Sequence, residues 1–276
     1  MKLLRYISIL CVSICVFSGI ELNSVSAGIV NDTDLKLKLN NSFVLYSNQQ
    51  LPYADANGRT LIPLRLIGDV MGANISWIGK EKKAIVSMGK NTISLVLGQK
   101  TAIVNGEQKQ LDTMVVSKNS TIMVPARFIS ETFGIKVGYN KSLNVVQLTD
   151  PRILSSERLA HIDEMQNLNV SFNNMIVPKS VTFFKDQKNS INNKQIDVKV
   201  MNYSSQTIKK GRLNSNVLYF ASESKLSFIG TRGMINMSDN NLIDIKPNGV
   251  YTDNIYLVET IDDEPVRYIF CNYFVN

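Results

Sequence analysis

Apolar and polar positions along this chain fall into short bursts that switch between two periods. From residue 57, a polar turn (Asn57-Gly58) leads into the apolar run Leu61-Ile62, and then Pro63. This reads as a short strand, stopped at a proline whose missing N–H costs nothing in the first turn of a helix. Leu66, Ile67, Val70 and Met71 follow at helical spacing, and Gly72 ends the helix as a residue free to take positive φ. The period then returns to two: Ile75 and Trp77 predict one strand, Ala84 and Val86 its hairpin partner across a polar turn at 79–83. Ile93, Leu95 and Leu97 alternate next, and Gly98-Gln99-Lys100 and Asn105-Gly106 mark two further hairpins.

The same pattern then recurs. Residues 57–72 align with residues 119–134 at a constant offset, with Asn57/Asn119, Pro63/Pro125, Arg65/Arg127, Ile67/Ile129 and Gly72/Gly134 identical. Ile62/Val124, Leu66/Phe128, Asp69/Glu131 and Trp77/Tyr139 are conservative pairs at the same offset. This is a duplication. The second copy predicts a helix carrying Phe128, Ile129 and Phe133, then Val137 and Tyr139 paired with Val145 through a turn at 140–142. One such unit is marginal alone, so the two copies are expected to share a sheet or pack closely.

The run Asn57-Gly58-Arg59-Thr60-Leu61-Ile62-Pro63-Leu64-Arg65-Leu66-Ile67, with Gly72-Ala73-Asn74-Ile75-Ser76-Trp77 after it, resembles the copper amine oxidase N-terminal-like repeat. The second copy departs from that pattern at Ser120-Thr121 and Tyr139. The resemblance implies an accessory stalk-type module of exported, envelope-associated proteins of Gram-positive type, outside the oxidase chemistry. That chemistry needs three histidines on copper, and this chain has one, His161. Asn272-Tyr273 has neither the threonine nor the acid that a quinone-forming tyrosine would need in that family, and reads as strand core.

Beyond Asp150-Pro151 the texture changes. A cap at Asp150, proline in the first turn and partial helical spacing predict a linker helix over 151–168. The remainder reads as β, with strands expected at 181–184, 196–200, 217–221, 226–229, 234–237, 242–245, 255–259 and 266–274. Turn chemistry separates them at 202–205, 209–211, 239–241 and 247–249. The predicted fold is α+β: tandem small hairpin-plus-helix repeats followed by an all-β immunoglobulin-like sandwich. The predicted organisation is a signal peptide at 1–27, two repeats within 28–150 (about 34–90 and 91–150), the linker, and a β-sandwich domain at 169–276.

Composition adds location. Lys2 and Arg5, the apolar stretch of residues 7–20 and Val25-Ser26-Ala27 form the three parts of a cleavable secretory signal. The stretch is too short to cross a bilayer, so no membrane span is expected after cleavage. The formal net charge of +7 drops by one with the signal and suits an anionic surface. No long Lys/Arg run points to nucleic acid. Cys11 and Cys15 leave with the signal, and Cys271 reads as a buried small hydrophobe.

Candidate chemistry is sparse. Phosphate loops, serine elbows and zinc helices are missing from the sequence. No catalytic residue, metal or cofactor is expected. His161 reads as a solvated surface residue, and Glu259, Asp262, Asp263 and Glu264 as an acidic hairpin loop. Arg65 and Arg127 read first as intrahelical ion pairs with Asp69 and Glu131, or as arginines tying each helix to a neighbouring loop, and alternatively as a grip on a carboxylate or phosphate. Trp77 and Tyr139 read first as core aromatics, and alternatively as exposed rings that stack on sugars. These four are the candidate ligand-binding residues. The functional expectation is a secreted non-catalytic cell-envelope protein, extracellular or cell-wall associated, that binds or spaces cell-wall polymer. Two alternatives stand beside it: a carboxylate-dependent glycan hydrolase or lyase, and a module for an extracellular protein partner.

Overall fold

The computed structural model describes residues 35–46, 51–153, 175–183, 194–221, 226–229, 243–257 and 266–275. The expected signal segment, most of the expected linker helix, His161, the acidic cluster at 259–264 and the strand expected at 234–237 lie outside these residues. Residues 151–153 form a turn.

In chain order the elements are β1 (Lys36–Leu39), β2 (Ser42–Tyr46), β3 (Tyr53–Ala54), β4 (Thr60–Pro63), α1 (Leu64–Met71), β5 (Asn74–Ile78), β6 (Lys83–Met88), β7 (Asn91–Val96), β8 (Thr101–Val104) and β9 (Glu107–Gln110). Then come β10 (Val116–Lys118), β11 (Thr121–Pro125), α2 (Ala126–Phe133), β12 (Lys136–Asn140), β13 (Val145–Thr149), β14 (Ile176–Phe183) and β15 (Lys194–Asn202). The last four are β16 (Leu213–Ala221), β17 (Leu226–Ile229), β18 (Val250–Leu257) and β19 (Val266–Val275).

The repeat units fold locally as their pattern dictates. Pro63 and Pro125 stand in extended conformation immediately before the helices, and Gly72 and Gly134 close them at φ 69° and 73°. Each helix is therefore held to eight residues, with its apolar side buried. The two hairpins that follow have the same register: Ile75 faces Val86 and Trp77 faces Ala84, while Val137 faces Leu148 and Tyr139 faces Val146.

Tertiary pairing departs from the expected architecture. An α+β chain of hairpin-plus-helix repeats followed by a separate immunoglobulin-like sandwich is not what forms. The described chain is dominated by strands, with two short helices, and its strands assemble into four sheets. The cause is edge pairing. A small unit cannot cover its own sheet edges and faces, so each borrows from elsewhere in the chain.

Strands β4 and β11 join the copies in a four-stranded sheet ordered β10-β11-β4-β3, with Ile62 opposite Val124. The first hairpin grows into a five-stranded antiparallel sheet, β5-β6-β7-β8-β9. The second joins a seven-stranded sheet ordered β12-β13-β1-β2-β19-β16-β17, in which β13 runs parallel to β1 and β2 runs antiparallel to β19. Strands from both halves of the chain thus share one sheet. The remaining sheet is β14-β15-β18.

The central strands of the seven-stranded sheet, β13, β1, β2 and β19, are buried on both faces. Leu37, Leu39, Val44, Tyr46, Val146, Leu148, Tyr268 and Phe270 point into a core that also holds both repeat helices. Phe43, Leu45, Val145, Ile269, Cys271 and Tyr273 point the other way, into a second core with Ile176, Val181, Ile196 and Val198 of the three-stranded sheet. Two sheets pack face to face here, and one of them continues into the repeats. Lys36 and Lys38 on β1 are carried into the second face, each 4% exposed. Burial lowers the Lys38 amine to about pKa 8, and its ammonium group lies 5.2 Å from the centroid of the Phe43 ring.

Candidate functional site

The four candidate residues occupy equivalent places in the two copies. Arg65 and Arg127 sit on the first turn of α1 and α2, one residue past buried Leu64 and Ala126. Both side chains are exposed. The expected intrahelical ion pairs do not form: among the described residues, Arg65 and Arg127 make no salt bridge, while Asp69 is buried at 8% exposure.

Trp77 and Tyr139 are 46% and 58% exposed, so the first reading of them as core aromatics is corrected. The reason is topological. Both lie on the core-facing side of their strands, but β5 and β12 are the outermost strands of their sheets, so the core stops one strand short of them. Their cross-strand neighbours Ala84 and Val146 are 1% and 2% exposed. The Tyr139 hydroxyl donates to Asn144 Oδ1 at 3.1 Å.

Two neighbours that the sequence reading placed only as hairpin core share this exposure: Ile75 at 37% and Val137 at 44%. Ile75 also explains Gly68. A Cβ at position 68 would meet Ile75 Cδ1 at 2.8 Å and the Ala73 carbonyl oxygen at 3.0 Å, so the helix turn and strand touch there. In the second copy the pair is Ser130 and Val137, one side chain larger and the other smaller. Ser130 Oγ donates to the Arg127 carbonyl at 2.7 Å.

The arginine that ties a helix to a loop is Arg152, which the sequence reading did not single out. Its Nη2 donates to the Phe133 carbonyl at 2.5 Å, at the end of α2, and to Asp150 Oδ2 at 2.7 Å. These bonds from Arg152 hold the Asp150 carboxyl below its ordinary range. Asn40 bonds Asp150 in both directions, closing the turn against β1. The signal for this was the Asp150-Pro151-Arg152 triplet.

Other flagged features resolve as framework. Asn202 donates to the carbonyls of Gln206, Ile245 and Lys246 and accepts from the backbone and hydroxyl of Ser204, stapling two loops of the sandwich. Cys271 is wholly buried, and burial pushes its thiol up to about 12. Tyr273 is 1% exposed in the core of β19. Strand β18 pairs in the three-stranded sheet and β19 in the seven-stranded one. Ser204, Gln206, Thr207, Lys209 and Arg212 line a shallow pocket of about 350 Å³, where Lys209 is paired to Asp244 at 2.9 Å.

Among the described residues there is no group of three or more His, Cys, Asp or Glu side chains placed to hold a metal ion. Nor is any described helix long and apolar enough to cross a membrane. No curated protein matches the chain as a relative. One family model does match, over residues 31–148, a span that contains both copies, the β4–β11 junction and all four candidate residues. That model describes the copper amine oxidase N-terminal domain, and residues 31–148 of this chain are similar to it.

Proposed function

We propose that this protein is a secreted, non-catalytic component of the cell envelope whose repeat region acts as a stalk-type module that binds or spaces cell-wall polymer. The observation that carries the reading is the twofold display of an exposed aromatic ring with an arginine free of ion pairs at equivalent positions, Trp77 with Arg65 and Tyr139 with Arg127. An aromatic face packs on the C–H face of a sugar, and a guanidinium binds carboxylate or phosphate through two parallel hydrogen bonds. The domain match supports a module outside the oxidase chemistry, and the charged, apolar and small-residue order of residues 1–27 supports export. The central strands of the seven-stranded sheet, buried on both faces, suit a spacer because they couple the repeat region stiffly to β19.

Sedimentation of the protein with purified cell-wall sacculi across a salt series tests this. Bulk charge acts only within a Debye length of about 8 Å at physiological salt. Retention in high salt, lost on combined Arg65→Ala, Trp77→Ala, Arg127→Ala and Tyr139→Ala substitution, is the expected result. Binding that vanishes with salt reduces the interaction to net charge. No binding at any salt overturns the reading and turns the search to protein partners. Fractionation of the producing cells checks the location.

A further inference from the structure

The two flanks are related by more than resemblance. Strands β4 and β11 pair antiparallel with Leu61 opposite Pro125, Ile62 opposite Val124 and Pro63 opposite Met123. Ile62 and Val124 are also the equivalent residues of the two copies. A pair that is self-equivalent and antiparallel has a local dyad between its members. The helices obey it: α1 packs on β11 and α2 on β4. Each hairpin packs on its own helix, β5 on α1 and β12 on α2, and the two hairpin registers coincide at the repeat offset, so each flank follows its helix.

Within one copy, the arginine and the aromatic belong to one flank. The chain folds back after Gly72, and Gly68 touches Ile75. From Gly68 back to Arg65 is about 4.5 Å along the helix. From Ile75 on to Trp77 is about 6.7 Å along the strand in the same direction. Arg65 and Trp77 therefore border the same strip of surface, with exposed Ile75 below them, and the dyad repeats the strip with Arg127, Tyr139 and Val137.

We propose, resting on the polymer-binding reading above, that these are two separate sites for an acidic polysaccharide and that one molecule cross-links two strands instead of tracking along one. A polysaccharide strand has a direction, and a dyad presents the second site reversed. A single straight strand crossing both sites would run the wrong way through one of them. Two strands, each in its own site, satisfy both, and each site pairs one ring for a sugar face with one guanidinium for its acid group.

The test uses the full chain, its Trp77→Ala and Tyr139→Ala variants and the double variant, with solubilised wall glycan fragments as the probe. Fragments stripped of phosphate polymer and fragments with esterified carboxylates form two further arms, which assign the acid group. Stoichiometry is read by calorimetry and cross-linking by light scattering, with thermal midpoints confirming that every variant is folded. The expected result is two strands per molecule and strong scattering for the parent protein. Each single variant then binds one strand without scattering, and the double variant loses about tenfold or more in affinity. Binding at one strand per molecule without scattering overturns cross-linking while leaving polymer binding intact. A single substitution that abolishes all binding shows one composite site and also overturns it. Failure of the parent protein to bind any fragment overturns both readings together.

Discussion

The two repeats share a helix and a hairpin and differ in what lies beyond the hairpin. In the first copy, β6 is followed by its own neighbours β7, β8 and β9, so the sheet is finished by local antiparallel turns. In the second, β13 takes β1 as a parallel neighbour, and through β1 and β2 the sheet reaches β19 and β16. One ancestral unit has thus met its exposed inner edge in two ways, by extending itself and by fusing to distant chain. The outer edges, β5 and β12, stayed alike, and so did the exposed groups on them.

The largest test of this contrast is a core truncation in the fused sheet. Phe270→Ala removes a 1%-exposed ring that β19 contributes to the repeat core, and should cost about 3–5 kcal/mol. If the halves are fused, denaturant unfolding followed at Trp77 and by far-ultraviolet dichroism stays a single shifted transition. Two transitions would mean that the repeat region stands alone and that the fusion is energetically empty.

Next comes charge in the fused sheet. The folded-state pKa of Lys38, about 8, lies below its ordinary 10.5, so the folded state sheds a proton that the unfolded chain keeps between these values. Stability should therefore rise as pH climbs from about 8 to 10.5, and the penalty is fully present below 8. Lys38→Met should remove that slope and stabilise the protein at neutral pH by roughly 1–3 kcal/mol. An unchanged slope in the variant assigns the effect elsewhere.

A smaller test compares the copies directly. Gly68→Ser should destabilise by roughly 1–3 kcal/mol, because its Cβ would meet Ile75, whereas the second copy already carries serine there. Adding Ile75→Val, which copies the Ser130–Val137 pair, should recover part of that loss. A double-mutant cycle measures it, and additivity within about 0.5 kcal/mol would show that the two positions do not compensate.

The smallest effect concerns a turn found in the first copy alone. Asp55 accepts the N–H groups of Asn57 and Arg59 and the hydroxyl of Thr113, and these bonds, led by Thr113, depress its pKa. Its contribution is complete above the ordinary carboxylate value and fades as pH falls through the depressed one. Asp55→Asn should flatten that part of the acid profile, measured as thermal midpoint against pH. The matching Ser117→Ala change in β10 should leave it untouched.

Local structure was legible where one period and one stop residue decided it. Pro63, Gly72 and the alternation at Ile75-Trp77 set helix, cap and hairpin, and Trp77 indeed faces Ala84. The candidate side chains were legible as a recurring pair, but their exposure was not, since an edge strand and a central one have the same alternation. The sheet order was not legible either. Nothing local in Ser42–Tyr46 announces Tyr268–Cys271 as its partner, and the alternating apolar run of β19 fits any sheet with two buried faces. Lys36 and Lys38 argued against a buried strand by their charge, and tertiary context prevailed.

The pairing of β2 with β19 also sets a clock. Val44 leaves the ribosome more than 220 residues before its neighbour Phe270. At ordinary synthesis rates that is a delay on the order of 10–50 s, long compared with hairpin closure in microseconds. For that interval β2 is a finished strand with one unfilled side, flanked by residues that will be fully buried. Whatever keeps that side from pairing with another molecule in the meantime, whether a chaperone or passage across a membrane as an extended chain, is as much a requirement of this topology as any contact in the finished sheet.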